Sequence, residues 1–302
     1  MIGLLTRVGA LIDTRGGKAR MAHFRAGWAA AATPQVKFHR TEKVQYRYLE
    51  AGSGRTIVFT CDPPMTIEVY GPLVAAFSLH FRVIVVELPA MGFSATTSDY
   101  AFGFRETNDD LATFLRAVAG ERSILAFSCV ASLAALDIAG RTPELASHLA
   151  LIQAGGSQAF AIWKAGRDPK GILARPIAGQ LVMARMALKR IPQWYGLSVG
   201  RKEQIPQFCD CAERSFANGA MWSLASAYQI YMRQRAELPR PAQPILSIWG
   251  ASDGSHPASN KHSLARLYEG VRTVTFDDLG HTPELEAPDL VLAAILDFAV
   301  IS

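Results

Sequence analysis

The sequence predicts an α/β protein with a mostly parallel sheet, flanking helices and an inserted helical cap. Short apolar segments alternate with helical segments over residues 41–156, and the alternation returns over residues 239–302. The segment between them, residues 157–238, is helical in character, which indicates an insertion between two strands of one sheet. Alternation of strand and helix favours parallel pairing, because parallel neighbours need a crossover connection that is usually a helix.

Seven short apolar or alternating segments carry the strand pattern. They are Val44–Leu49, Thr56–Thr60, Phe81–Glu87, Ser123–Phe127, Leu149–Gln153, Pro244–Trp249 and Arg272–Phe276. Helices are predicted over Asn108–Ala119, after Phe127 as far as Ala139, over Asn260–Glu269 and from Pro288 onward. Thr107 or Asn108 can cap the first of these helices. Residues 1–40 are predicted to be an N-terminal arm with one helix.

The composition is that of an ordinary globular protein. The chain has 302 residues, of which 50% are hydrophobic and 19% are charged. No apolar run reaches the roughly 18–20 residues of a membrane span, so no integral membrane segment is predicted. Arg7 interrupts the only stretch that resembles the apolar part of a signal peptide, and no clear cleavage site follows it. A cytoplasmic protein is therefore expected.

The net charge of +5 comes from basic residues that concentrate in two places. One group lies in the N-terminal arm: Arg7, Arg15, Lys18, Arg20 and Arg25. The other lies in the predicted cap: Lys164, Arg167, Lys170, Arg175, Arg185, Lys189, Arg190, Arg201 and Lys202. Two interpretations stay open, namely solvated helix faces or a docking surface for an acidic partner such as a carrier protein or the phosphates of CoA. No nucleic-acid-binding motif accompanies these residues, so no nucleic-acid partner is predicted.

The four cysteines predict neither a disulfide framework nor a metal site. Cys209 and Cys211 are separated by one residue and have no matching Cys or His pair, which is not the spacing of a zinc site. We therefore expect no metal. No cofactor-binding motif occurs in the sequence, and no cofactor is predicted.

A nucleophile elbow is predicted where the fourth strand ends. In this motif a sharp turn between a strand and a helix exposes one side chain above the sheet. Ser123–Phe127 is followed by Ser128 and Cys129, and then by a helix that starts with small residues. The motif requires small residues two positions before and two positions after the nucleophile, because the flanking backbones approach closely there.

Two registers of this turn are open, and a site without a nucleophile is a third alternative. With Cys129 as the nucleophile, Ala131 satisfies the later small position but Phe127 fills the earlier one. With Ser128, the earlier position is satisfied but Val130 fills the later one. The following helix favours Cys129, because only that register places its apolar residues on the buried face.

Two polar residues at later strand ends are the partners that a nucleophile needs. Asp253 follows the strand that ends at Trp249, and His281 follows the strand that ends at Phe276. Both lie at the carboxyl ends of parallel strands, where open sheets bind their ligands. The chain order is nucleophile, acid and base, so Cys129, Asp253 and His281 are predicted to form a triad. Three neighbouring residues are expected to be spectators: Asp277, Asp278 and His256.

These residues resemble the α/β-hydrolase fold superfamily over roughly residues 40–302. Residues 87–94 read Glu-Leu-Pro-Ala-Met-Gly-Phe-Ser, which is similar to the superfamily's Asp-Leu-Pro-Gly-x-Gly-x-Ser segment. Ala287 and Pro288 before the last helix are similar to its C-terminal pattern. The triad resembles the cysteine variant of dienelactone hydrolases, polyester synthases and some carrier-protein-dependent cyclases. The resemblance implies an α/β-hydrolase core, with the helical insertion as its cap.

The loop after the second strand departs from the superfamily pattern. There the pattern reads His-Gly-x, and a backbone N–H of the loop helps to form the oxyanion hole. Residues 61–65 instead read Cys-Asp-Pro-Pro-Met, and proline has no N–H to donate. The remaining candidate donors are the N–H of Met65, a side chain, or only the N–H of Val130. Asp62 would repel a developing oxyanion unless it turns away, is protonated or acts as an acid or base; an ordinary surface turn is the other interpretation.

A cysteine nucleophile favours activated acyl substrates. Pairing with an imidazolium lowers the pKa of a thiol, and exchange of a thiol with a thioester is close to neutral in energy. The first hypothesis is therefore acyl transfer, or release with cyclisation, from a carrier-protein or CoA thioester through an acyl-cysteine. The alternatives are a simple thioesterase or carboxylesterase, a non-catalytic binding protein that keeps the fold, and a lyase or isomerase in which His281 acts without a covalent intermediate.

Overall fold

A single large sheet organises the molecule. The computed structural model describes residues 3–15, 36–233 and 237–301. Its strands in chain order are β1 (Val36–Arg40), β2 (Val44–Ala51), β3 (Thr56–Thr60), β4 (Arg82–Val86), β5 (Met91–Gly92), β6 (Ala95–Thr96), β7 (Ser123–Ala126), β8 (Ala146–Ile152), β9 (Met221–Trp222), β10 (Ile245–Gly250) and β11 (Arg272–Phe276).

The helices before the cap are α1 (residues 4–15), α2 (Gly71–Phe77), α3 (Phe104–Phe114) and α4 (Ala131–Arg141). The later helices are α5 (Ser157–Arg167), α6 (Ala178–Ser198), α7 (Ile205–Ala217), α8 (Leu224–Gln229), α9 (Pro283–Glu286) and α10 (Pro288–Ile301). In the part of the chain that the structure describes, no helix has the length and apolar character needed to cross a membrane.

The strand order confirms the predicted fold class. The sheet runs β1-β2-β4-β3-β7-β8-β10-β11, and β6 adds to β2 outside this path. The first two pairings, β1 with β2 and β2 with β4, are antiparallel, whereas every pairing from β4 to β11 is parallel. The central strands β7 and β8 are buried at every position, as expected of strands covered on both faces.

Two apolar layers cover the sheet. On one face, α3 and α4 pack their apolar residues against the strands, with Leu111 and Leu136 fully buried. On the other face, α2 and α10 do the same, with Phe77 and Ile295 fully buried. Because apolar side chains cover both faces, the polar residues of the sheet reach a ligand at the strand ends. A site is therefore expected at the carboxyl edge of the parallel strands.

The segment between β8 and β10 contains α5 to α8 and the short strand β9. Strand β9 pairs with β5, which ties this segment to the loop that follows β4. Helix α1 lies against the same segment, because the hydroxyl of Ser226 on α8 donates to Asp13 of α1 at 2.6 Å. Burial raises the pKa of Asp13 to about 6, partly offset by this hydrogen bond.

Two predicted boundaries in the N-terminal half are wrong. β1 lies inside the stretch 1–40 that was predicted to be a helical arm, and it pairs with β2 as an edge strand. α3 begins at Phe104 rather than Asn108. Asn108 is fully buried and donates to Asp137 at 2.9 Å, so it makes a core hydrogen bond instead of capping a helix. The small residues Ala29–Ala32 lie outside the described residues.

The helix predicted over Asn260–Glu269 is also wrong. Only a 3₁₀ turn forms, over Ala258–His262, and irregular turns follow it. Leu264 is fully buried, and Ser263 turns inward to accept the N–H of Gly156 at 3.3 Å. These tertiary contacts override the local helical pattern.

Candidate active site

Cys129 occupies the turn between β7 and α4. Its φ angle of 51° lies in the left-handed region, which is uncommon for residues other than glycine and is typical of a nucleophile elbow. The turn is anchored on both sides by β8: the N–H of Cys129 donates to the carbonyl of Ile152 at 2.9 Å, and the N–H of Ile152 donates to the carbonyl of Phe127 at 3.0 Å. The geometry thus gives the elbow position to Cys129.

Ser128 turns in a different direction. Its hydroxyl donates to Oε1 of the buried Glu284 at 2.7 Å. Burial raises the pKa of Glu284 to about 7, against the opposing effect of the hydrogen bond from Ser128. The serine oxygen is therefore engaged with a carboxyl group in the core, and Ser128 does not have the left-handed backbone of an elbow nucleophile.

Asp253 and His281 meet as an acid–base pair. Asp253 lies three residues after β10, and its Oδ2 is 2.8 Å from Nδ1 of His281. Oδ1 accepts the N–H of Ser255 at 2.7 Å, and Nε2 of Gln153 donates to Oδ2 at 2.9 Å. Burial raises the pKa of Asp253, but the charge of His281 and the hydrogen bonds from His256 and His281 outweigh it and hold the pKa well below its usual range.

His281 is fixed by close backbone packing. The carbonyl of Ser198, at the end of α6, accepts the N–H of His281 at 2.6 Å. A Cβ at the preceding Gly280 would lie 2.0 Å from the same carbonyl oxygen, so no larger residue fits there. The end of the longest helix of the inserted segment therefore sets the position of the histidine.

His256, which was predicted to be a spectator, contacts both Asp253 and His281. Its Nδ1 lies 3.0 Å from Oδ2 of Asp253, the same oxygen that His281 contacts. The rings of His256 and His281 stack with centroids 4.8 Å apart, and Trp163 of α5 stacks on the other side of His256 at 5.4 Å. Of the other two residues predicted as spectators, Asp278 pairs with Arg201 at 2.9 Å and Asp277 contributes only its carbonyl, which accepts from Ser252.

Asp62 lies on the other nitrogen of His281. Its Oδ2 is 3.1 Å from Nε2. The reactive atoms of Asp62, Cys129 and His281 all lie within 4.8 Å of one another. Burial lowers the pKa of His281, but the charges of Asp253, Cys129 and Asp62 outweigh it and raise this pKa well above its ordinary value. Burial, and next the charge of Asp62, raise the pKa of the Cys129 thiol to about 11, against the opposing effect of His281.

The loop over residues 61–65 has no free N–H for an oxyanion. The N–H of Cys61 donates to Val86, that of Asp62 to Tyr70 Oη at 3.2 Å, and that of Met65 to the carbonyl of Asp62 at 3.0 Å. Met65 is therefore not the donor that was considered for the oxyanion hole. The N–H of Val130 is directed at the sulfur of Cys129 and is the backbone donor that remains at the site.

A cavity of about 690 Å³ leads to these residues. Cys129 and Asp62 line it, and most of its other walls are apolar side chains of the inserted segment. They include Trp163, Leu173, Met183, Met186, Trp194, Leu197, Trp222, Leu224 and Tyr228. Three cationic side chains also line it: Arg167, Lys170 and Arg190. The cavity is thus largely apolar, and it offers a ligand these cations together with the carboxylates of Asp168 and Asp62.

Sequence reasoning missed several residues that support the site. Gln153 has a left-handed φ of 48° and bonds Asp253, and Tyr70 holds the N–H of Asp62. Gln153 had a recognisable signal, since it is the first polar residue after the buried strand β8. Glu284 and Tyr70 had none, because nothing local in the sequence indicates that distant elements bring them to the elbow.

Comparison with known proteins decides the family. Residues 57–294 match the alpha/beta hydrolase family. The chain belongs to that family. Among curated proteins, none matches this alpha/beta hydrolase in sequence.

Solved structures share the alpha/beta hydrolase fold at low sequence identity. A thermophilic esterase from Thermogutta terrifontis aligns with a TM-score of 0.69 and 18% identity, over 88% of this chain and 98% of that one. An enzyme that degrades N-acyl homoserine lactones aligns with a TM-score of 0.68 and 15% identity, over 87% of this chain and 100% of that one. E-2-(acetamidomethylene)succinate hydrolase aligns with a TM-score of 0.64 and 18% identity, over 87% and 99%. At these identities the likeness concerns the fold.

Proposed function

We propose that this alpha/beta hydrolase is a cysteine-nucleophile acyltransferase that accepts an activated thioester and passes through an acyl-Cys129 intermediate. One observation carries the proposal. The sulfur of Cys129, on a left-handed elbow, lies within 4.8 Å of Nε2 of His281, whose Nδ1 is held by Asp253 at 2.8 Å. This is the arrangement of nucleophile, base and orienting acid that nucleophilic catalysis requires.

The reaction begins with transfer of the thiol proton to Nε2 of His281. The sulfur of Cys129 then forms a bond to the thioester carbonyl carbon, and the carbonyl electrons move to oxygen. Collapse of this intermediate breaks the bond to the leaving thiol, whose sulfur takes the proton from His281. An amine, alcohol, carbon nucleophile or water then accepts the acyl group and restores the thiol of Cys129.

The oxyanion donors favour an activated acyl group over an amide or an ordinary ester. Loss of one donor typically costs about 2.7–4 kcal/mol of transition-state stabilisation. Here the N–H groups of Cys61, Asp62 and Met65 already donate to other acceptors, and the two prolines between them have no N–H. The N–H of Val130 remains. A thioester carbonyl has little resonance stabilisation and therefore needs less help from the enzyme.

The resting state sets a condition on this chemistry. The charges of Asp253 and Asp62 favour the imidazolium form of His281, and burial keeps the thiol of Cys129 protonated. His281 must therefore release its proton to solvent, and Asp62 must move away from Nε2, before the thiol can transfer its own proton. Entry of the substrate into the cavity supplies this displacement, because Asp62 lines the end of the cavity beside Cys129.

The cavity walls indicate the substrate class. The apolar side chains near Cys129 suit an apolar or aromatic acyl chain. Arg190 and Lys170 are exposed where they line the cavity, and neither forms an ion pair with an acidic residue in the described ranges. They suit the phosphate of a phosphopantetheine arm, whether this arm belongs to CoA or to an acyl carrier protein.

The test is release of the thiol from aromatic and aliphatic acyl-pantetheine thioesters, with and without an amine acceptor. Wild-type protein and Ser128→Ala should release thiol, whereas Cys129→Ala should lose at least about 10³-fold in rate. An acceptor that lowers the yield of free acid supports transfer, and free acid alone supports a plain thioesterase. Full activity in Cys129→Ala together with loss in Ser128→Ala would overturn the proposal in favour of a serine esterase.

The contact between Asp62 and His281 favours one second candidate. A carboxylate beside Nε2 can accept or return a proton, as a lyase or isomerase that works without a covalent intermediate would need. This candidate requires turnover that depends on Asp62 and His281 and persists in Cys129→Ala. The proposal of acyl transfer requires the opposite result for Cys129→Ala.

A further inference from the structure

Three side chains that can bind a metal lie close together, and two of them, Cys129 and Asp62, line the cavity. The sulfur of Cys129, Nε2 of His281 and a carboxylate oxygen of Asp62 lie within 4.8 Å of one another. They come from three distant parts of the chain: the elbow, the loop after β11 and the loop after β3. A thiolate, an imidazole and a carboxylate form a donor set that zinc accepts in proteins.

The imidazole nitrogen that faces this point has no hydrogen-bond partner among the described residues. Nε2 of His281 is buried, and the oxygen of Asp62 lies near it at ion-pair distance without hydrogen-bond alignment. The other nitrogen, Nδ1, is held by Asp253 at 2.8 Å. A carboxylate on the second nitrogen of a histidine fixes its tautomer and orients it as a metal ligand.

The spacing suits a small tetrahedral ion. Zinc bonds of about 2.0–2.3 Å in tetrahedral geometry imply ligand atoms about 3.3–3.8 Å apart. Oδ2 of Asp62 and Nε2 of His281 are already 3.1 Å apart, and the widest separation within the cluster is at most 4.8 Å. Closing the cluster requires movement of about 1 Å, which side-chain rotation of Cys129 or Asp62 can supply. Both residues line the cavity, so an ion can enter and a fourth position stays open to water.

We propose that Asp62, Cys129 and His281 bind one Zn²⁺ ion, and that the bound ion reversibly blocks the site. Binding exchanges protons for the metal without a change in oxidation state. The thiol of Cys129 gives up its proton, Nε2 of His281 binds the metal in its unprotonated form, and the displaced protons go to solvent. The block of acyl transfer rests on the proposed function, because the ion occupies the nucleophile and the base. The binding itself does not rest on it.

The donor set selects against the common hard cations. Mg²⁺ and Ca²⁺ prefer oxygen ligands, and this cluster offers one carboxylate beside sulfur and nitrogen. Zinc affinity should rise with pH, because both the thiol and the imidazolium must lose their protons before they bind the metal.

The test is titration of the full-length, metal-free protein with ZnCl₂ by calorimetry, and with Co²⁺ by absorption spectroscopy. We expect one ion per chain, release of protons on binding and a thiolate-to-cobalt charge-transfer band. Cys129→Ser should lose the band, and Asp62→Asn should weaken zinc binding by about 10-fold or more. Cys209→Ser, a half-buried cysteine on α7, is the matched control and should bind as the wild type does. Circular dichroism of each variant separates loss of the site from loss of folding.

Two results would overturn the zinc site: no stoichiometric binding to the wild type, or equal binding by wild type, Cys129→Ser and Asp62→Asn. The outcome for the proposed function is separate. A protein that binds zinc but forms no acyl-cysteine would keep the metal site and contradict acyl transfer. A protein that is acylated at Cys129 but binds no zinc would support acyl transfer and contradict the metal site.

Discussion

Oδ2 of Asp62 lies 3.1 Å from Nε2 of His281, while Oδ2 of Asp253 lies 2.8 Å from Nδ1 of the same ring. The imidazole is thus held between two carboxylates, one on each nitrogen. In the superfamily pattern, the loop that carries Asp62 supplies an oxyanion donor; here it supplies a negative charge beside the base. Burial raises the pKa of Cys129 and the charges of Asp253 and Cys129 raise that of His281, and the charge of Asp62 adds to both effects, which leads to the first prediction.

Replacing Asp62 by Asn should make Cys129 more reactive at neutral pH. Asp62 raises the pKa of both His281 and Cys129, so removing its charge lowers both values. The pH at which the thiol becomes reactive then moves down. We expect the rate of alkylation by iodoacetamide at pH 7 to rise on the order of tenfold, which corresponds to about 1.4 kcal/mol.

The matched control is Asp278→Asn, which removes an exposed carboxylate paired with Arg201. It should leave the pH profile of alkylation unchanged. An unaltered profile in Asp62→Asn would show that Asp62 does not act on the thiol and the imidazole.

His256 should affect catalysis through Asp253. His256→Phe keeps a ring between Trp163 and His281 but removes the donor to Oδ2 of Asp253. A hydrogen bond to a charged group is worth about 1.5–3 kcal/mol, so kcat/KM should fall roughly tenfold to a hundredfold. His256→Asn, whose amide can donate from a similar position, should recover part of the loss. If both variants kept the activity of the wild type and differed from it only in melting temperature, His256 would have only a packing role.

Arg190 and Lys170 should favour thioesters that carry a phosphate over those that do not. In the double variant Arg190→Gln/Lys170→Gln, KM for acyl-phosphopantetheine should rise about tenfold or more, since the phosphate contacts are lost. KM for the same acyl-pantetheine, which has no phosphate, should stay constant. Arg185→Gln is the control, because Arg185 is exposed on the same helix but does not line the cavity. A uniform rise for both thioesters would contradict phosphate recognition.

The buried ion pair of Arg47 and Glu87 should contribute to the free energy of unfolding. The pair is 2.8 Å apart, and both side chains are fully buried. Arg47→Met leaves the carboxylate of Glu87 buried without its cation, and breaking such a pair costs about 3–5 kcal/mol. Urea unfolding should show this loss, and Arg47→Met/Glu87→Gln should recover part of it. Equal stability of Arg47→Met and wild type would contradict a structural role for the pair.

The sequence predicted the fold because the strands alternate with helices and are continuous apolar runs. Thr56–Thr60 and Arg272–Phe276 match their observed bounds, since each is flanked by clear turn residues. The edge strand β1 was missed, because it is short and not buried at any position, and only Val36 and Phe38 carry its alternation. The helix expected after Asn260 does not form, although the local pattern favours it, because tertiary contacts outweigh that pattern.

Cys129, Asp253 and His281 were predicted to act together because each follows a predicted strand, and the structure places them side by side. The environment of each group could not be predicted. Asp62 faces His281 in a loop that Tyr70 holds, because the hydroxyl oxygen of Tyr70 accepts the N–H of Asp62. His256 reaches Asp253 only because the short loop after β10 folds back on itself. Such contacts follow from loop geometry rather than from sequence spacing.

The central claim is a covalent acyl group on Cys129, and the most direct measurement is peptide mass mapping after acid quenching. The protein is mixed with an aromatic acyl-pantetheine thioester, quenched, digested and analysed. Wild type and Ser128→Ala should carry the acyl mass on the peptide that contains Cys129, and hydroxylamine should remove it. Cys129→Ala should carry none. Turnover of the thioester with no adduct in wild type, or an adduct that persists in Cys129→Ala, would contradict the account.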